Sequence, residues 1–87
     1  MVENCSTIMA ILQENRVETA VKVQDILTKY GCHIRVRLGL HEAAVSSCAR
    51  DGLILLQLCA DKALSAEVEK HLQSIPNVKV KSMTLDF

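Results

Sequence analysis

Aromatic side chains are nearly missing from this chain: Tyr30 and Phe87 are the only two in 87 residues, and there is no tryptophan. RNA readers built on an open sheet stack bases on aromatics of the central strands, and no such stacking surface can be assembled here. Excess charge is missing too. Ten basic and ten acidic side chains cancel, which argues against a general binder of nucleic acid or of an anionic membrane surface. Long apolar runs are also lacking. The N-terminal one, Ile8 to Leu12, is far shorter than a membrane span and has no basic segment before it of the kind a signal peptide carries. Three glycines and one proline are too few for a linker or a low-complexity tail.

Catalytic signatures are absent from the text of the chain as well. It contains no nucleophile elbow, phosphate loop, metalloprotease motif or paired-carboxylate cluster. A non-enzyme is therefore expected. The four cysteines, Cys5, Cys32, Cys48 and Cys59, show no C-x-x-C spacing. With no secretory signal, the expected location is cytoplasmic and the expected state is four reduced thiols without a structural disulfide.

What is present is a chain with 49% apolar residues, sized for one domain over residues 1–87. Alternation predicts a first strand over residues 7–13, with Ile8, Ala10 and Leu12 on the helix-covered face and Met9 and Ile11 on the other. Asn15 and Glu18 then resemble a capping box. Val17, Ala20, Val21, Leu27 and Tyr30 recur at helical spacing, and Gly31 stands where a left-handed residue can end the helix. A second strand follows over 33–40, expected to bury Ile34, Val36, Leu38 and Leu40 and to present Arg35, Arg37 and Gly39 on the open face. Residues 41–52 read as a loop closing on Asp51-Gly52. The third strand, LILLQLCA at 53–60, is apolar on both faces apart from Gln57. A second helix to about Ser74 buries Leu64, Val68, Leu72 and Ile75, and Pro76-Asn77 stops it. In the last strand Val78 and Val80 point one way, but Met83, Leu85 and Phe87 fall in the opposite phase. A bulge near Lys81-Ser82, or a change in what that face packs against, accounts for the shift.

The order βαββαβ is that of a ferredoxin-like α+β sandwich: a four-stranded antiparallel sheet, order 4-1-3-2, with two helices on one face. Strands one and three, the most apolar, take the centre. With both helices on one face, Met9, Ile11, Leu53 and Leu55 are expected on the other, and an uncovered apolar strip of that kind marks an oligomer contact. A dimer or tetramer is expected.

Four stretches, ILTKYGCHI, RVRLGL, LILLQL and HLQSIPNVKVK, carry a family likeness that spans nearly the whole chain. The chain resembles the small regulators of the iron-only hydrogenase system, which look like ACT domains and like the C-terminal domain of nickel-responsive regulators. The resemblance implies a βαββαβ regulatory module that self-associates and senses a small effector. Because the charge is balanced and no DNA-reading element is found, such a regulator is expected to act through a partner protein, with no direct nucleic-acid contact and no membrane contact. In nickel regulators of that type, metal is held by a His-x-His pair on the second strand, a histidine from the partner subunit and a cysteine before the third strand. Gly39 and His41 fall at the His-x-His spacing here, and Cys48 lies in the loop before the third strand. The amino-acid-binding turn of ACT domains reads Glu14-Asn15-Arg16, without its glycine.

The candidate effector loop is thus Gly39, His41, Glu42 and Cys48. Imidazole and thiolate suit nickel, zinc or copper, so His41 and Cys48 are the candidate metal ligands, and no other cofactor is expected. His33 stands about 26 Å from His41 along the strand and cannot share an ion with it inside one chain. The bland alternative is a polar loop with a partly exposed histidine. The competing function is a metal-binding accessory protein using that loop.

Overall fold

The computed structural model describes residues 5–14, 16–40 and 52–86. Four strands are laid down as β1 (Thr7–Gln13), β2 (Ile34–Leu40), β3 (Gly52–Leu58) and β4 (Val78–Thr84), with helices α1 (Arg16–Lys29) and α2 (Lys62–Gln73). They form one sheet ordered β2-β3-β1-β4, every neighbouring pair antiparallel. This is the ferredoxin-like α+β arrangement, with two apolar strands at the centre and the basic ones at the edges.

The register decides which side chains meet the helices. Met9 stands opposite Leu56 and Ile11 opposite Ile54, while on the other side of β1 Ile11 faces Val80. All five are buried, together with Leu58 and Val78, against Val23, Leu27 and Tyr30 of the α1 side and Val68, Leu72 and Ile75 of the α2 side. Met9 and Ile11 are completely covered. The expected phase of β1 is therefore reversed: Met9 and Ile11 are core, and they form no part of an open face. Leu53 and Leu55 do lie on that face, half-buried.

Helix α1 shows a similar correction. Val17 and Val21 are 82% and 68% exposed. Of the expected stripe Leu27 and Tyr30 are buried, and Thr19 and Val23 join them in place of Val17 and Val21. Steps of four and three residues put Thr19, Val23, Leu27 and Tyr30 on one side of the helix, and Val17 and Val21 fall on another. Gly31 opens a short 3-10 turn, Gly31–His33, and no described glycine takes positive φ; the left-handed residue is Asn77 at φ 68°. It follows Pro76, and its carbonyl accepts from Glu14 N–H at 2.8 Å, so the α2–β4 turn is tied to the end of β1.

Helix α2 follows its sequence pattern closely. Asp61 caps it, its carboxylate accepting from Leu64 N–H at 2.8 Å, and Val68 and Leu72 are buried. The far side of α2 is stitched to β4 by Glu69, which accepts from Ser82 Oγ at 2.7 Å. Near its middle, Glu67 accepts from the Tyr30 hydroxyl at 2.6 Å, joining the end of α1 to α2.

Two features of the strands differ from simple alternation. A register shift between Ile34 and Val36 makes Arg35 the extra residue of a β-bulge. Ile34 packs on the core, yet Val36 and Leu38 emerge on the open face, about half exposed. Arg37 and Gly39 take the helix side, opposite Leu56 and Ile54. The expected division of β2 thus holds only at Ile34 and inverts after the bulge. Strand β4 has no such bulge; its pairing with β1 runs unbroken from Val78 to Thr84. Its change of phase reflects what each face packs against, with Val78 and Val80 in the core and Met83 on the open side.

The expectation of four free thiols is overturned. Cys5 and Cys59 form a disulfide across 54 residues, clipping the start of β1 to the end of β3. The spacing of the two in sequence carried no hint of it, because their proximity is created by the β1–β3 pairing.

Candidate functional site

The face that the helices leave uncovered is built by three rows running across the strands. The first is Val36, Gln57, Ile8 and Met83; the second Leu38, Leu55, Ala10 and Lys81; the third Leu53, Leu12 and Lys79. Antiparallel pairing with a two-residue side-chain period puts each row on one face. Ile8, Ala10, Leu12, Leu53 and Leu55 are half-buried, and Met83 is 59% exposed at the β4 edge. Four strands of seven residues give a face of about 20 Å by 20 Å.

Polarity is confined to two places on this surface. Gln57 interrupts the apolar rows, but its amide donates to the Cys5 carbonyl at 2.8 Å, so its polar head is turned to the chain's own backbone. Lys79 and Lys81 line the β4 edge. Lys79 reaches Glu14 at 3.5 Å, an exposed pair of little energetic weight. Of the two arginines expected on this face, Arg37 belongs to the other side and Arg35 is the exposed, unpaired residue of the bulge. Among the paired, described residues the surface is therefore apolar from β2 through β1 and cationic along the β4 rim.

Of the residues expected to form the oligomer face, Leu53 and Leu55 lie on it and Met9 and Ile11 do not. Sequence reasoning missed Ile8, Ala10, Leu12, Val36, Leu38 and Met83. Gly39 sits on the helix side of β2, where an added Cβ would meet nothing within 4 Å, so it leaves no gap beside the open face. His41, Glu42 and Cys48 lie outside the described residues. Among the described residues no cluster of His, Cys, Asp and Glu is arranged to hold a metal ion. His33 is half-buried in the turn before β2, and His71 on α2 is exposed, its ring 6.0 Å from that of Tyr30.

A shallow recess of about 70 Å³ lies where the β1–α1 and α2–β4 turns meet, lined by Glu18, Thr19, Lys22, Ile75, Pro76 and Asn77. Small-molecule sites usually enclose about 300 Å³ or more. It is too small to hold an effector in this shape. Among the described residues, no helix is long and apolar enough to cross a membrane.

Comparison with known proteins returns fold and nothing more. No family model matches the chain, and no curated protein does. An uncharacterized protein from Thermotoga maritima is similar over 92% of this chain and 95% of its own, at 24% identity and TM-score 0.81. A formyltetrahydrofolate deformylase from Pseudomonas putida matches 91% of this chain at 8% identity and TM-score 0.55, but only 28% of the deformylase is involved. Both are similar in fold.

Proposed function

We propose that this chain is a non-catalytic regulatory module that works as a self-associated assembly joined through the open sheet face. The observation that carries this reading is the composition of that face: eight described apolar side chains from four strands, with lysines only along β4. Sheets pack face to face with strands about 30° apart or near perpendicular. A two-fold axis through the face would set apolar rows on apolar rows and keep Lys79 and Lys81 at the rim, where they stay hydrated. A second copy fits this surface better than an acidic partner would, because the charge is at one edge and the centre is neutral.

The regulatory part of the reading is supported by the likeness of ILTKYGCHI, RVRLGL, LILLQL and HLQSIPNVKVK to the iron-only hydrogenase regulators. A partner protein would then carry the signal onward. The alternative, a metal-binding accessory protein holding nickel or zinc with His41 and Cys48, rests on residues outside the described part of the chain and gains no geometric support.

Leu55→Asp tests the proposal. Leu55 is central in the middle row and makes no contribution to the helix-covered core. The variant should keep the circular dichroism spectrum and lose association. Association that survives Leu55→Asp together with Leu38→Asp refutes the open face as the contact.

A further inference from the structure

Three cysteines gather at one end of the sheet. Cys5 and Cys59 are bonded to each other, and Cys32 is an exposed free thiol in the 3-10 turn before β2. The His33 carbonyl accepts from Cys59 N–H at 2.7 Å, so the residue after Cys32 is pinned against Cys59. A carbonyl-to-amide bond of this length holds the two Cα atoms within about 6.5 Å, and one step along the chain adds at most about 3.8 Å. Cys32 and Cys59 are therefore within about 10 Å at Cα. A disulfide spans about 4.4–6.8 Å, so forming the Cys32–Cys59 bond draws the exposed 3-10 turn towards the end of β3.

We infer that this corner is a thiol–disulfide exchange site, with Cys32 as the attacking thiol and Cys59 as the sulfur attacked. Accessibility selects the direction. Cys5 is 6% exposed, whereas Cys59 is half-buried and Cys32 is exposed. In the step, the Cys32 thiolate attacks Cys59 Sγ, a Cys32–Cys59 bond forms as the Cys5–Cys59 bond breaks, and the electron pair leaves on Cys5 Sγ. The proton lost by Cys32 goes to solvent, and the Cys5 thiolate recovers one from solvent. One disulfide replaces another, so no oxidant or reductant is consumed. The exchange transfers the covalent tie of β3 from the N-terminal end of β1 to the start of β2. Cys5, which accepts the Gln57 amide through its carbonyl, would then be held by hydrogen bonds alone. The site is independent of the self-association reading and its failure would leave that reading untouched.

The cysteines fall on four separate tryptic peptides, residues 1–16, 30–35, 38–50 and 51–62, so connectivity can be read directly by mass spectrometry. Oxidised full-length protein is held at about pH 8.5, where thiols ionise, then blocked with N-ethylmaleimide in mildly acidic denaturant and digested. The linked pair 30–35 with 51–62 should appear beside the pair 1–16 with 51–62, and should vanish in Cys32→Ser. Cys5→Ser, oxidised with glutathione disulfide, should close the Cys32–Cys59 link within one chain. Finding only the Cys5–Cys59 pair in the wild type, or only glutathione adducts and links between chains in Cys5→Ser, overturns the inference. So does Cys48 in place of Cys32.

Discussion

Ile11 and Leu12 are neighbours in β1 with opposite fates, and truncating each to alanine measures which face carries the core. Ile11 is fully covered, wedged between Ile54 and Val80 under the helices. Ile11→Ala removes its buried methyl groups and leaves a cavity that closely packed neighbours fill poorly, a loss of about 3 kcal/mol. Leu12 is half-buried on the open face, and Leu12→Ala forfeits only part of a transfer energy, about 1 kcal/mol. A domain of this length loses entropy on folding of about 0.18 kcal/mol per kelvin. The expected falls in Tm are therefore about 16 °C for Ile11→Ala and about 5 °C for Leu12→Ala. The assay is thermal unfolding followed by circular dichroism, at a dilution that separates copies so that Leu12 is judged in the free chain. Equal losses, or a larger loss from Leu12→Ala, would refute the assignment of the two faces.

Three further perturbations follow from particular bonds. Reducing Cys5–Cys59 opens a 54-residue loop and should cost up to about 4 kcal/mol; a melting curve indifferent to dithiothreitol would contradict the disulfide. Asp61→Ala removes the acceptor of Leu64 N–H and should lower stability by about 1 kcal/mol, whereas Asp61→Ser should recover most of it; equal losses would show the cap to be idle. The Tyr30 hydroxyl is held above its ordinary value of about 10 by its bond to Glu67, then by burial, then by the Glu67 charge. A raised value means that the protonated phenol favours the fold, so this stabilisation is whole below about pH 10 and drains away as pH climbs past it. Tyr30→Phe should flatten the fall of Tm over that alkaline range, and an unchanged profile would refute the bond.

The fold was legible because its signals are local. Leu64, Val68, Leu72 and Ile75 point one way on any helix, and the Pro76-Asn77 stop and the apolar LILLQL run need no knowledge of the rest of the chain. The phase of β1 was not legible. Ile8, Ala10 and Leu12 are as apolar as Met9 and Ile11, so alternation offers two equal answers, and only the non-local pairings of Ala10 with Leu55 and of Leu12 with Lys79 decide between them. In β2 a single extra residue, Arg35, inverts every side chain after it, and Arg-Val-Arg-Leu reads as clean alternation either way. In α1 two valines compete with a stripe that contains a threonine, and hydrophobicity alone chooses wrongly. The open face was therefore foreseen as a surface, but two of its four expected residues, Met9 and Ile11, are core and most of its apolar side chains were missed. Polar markers give the one usable hint: Gln57, Lys79 and Lys81 all lie on the open face, and β3 counted from Gln57 places Leu53 and Leu55 correctly.

Sedimentation equilibrium of the wild-type chain over a range of concentrations tests the central claim most directly. The 9.6 kDa chain should show an apparent mass that rises with concentration to at least twice that value. A single species of one chain's mass, unchanged into the high micromolar range, would contradict the account.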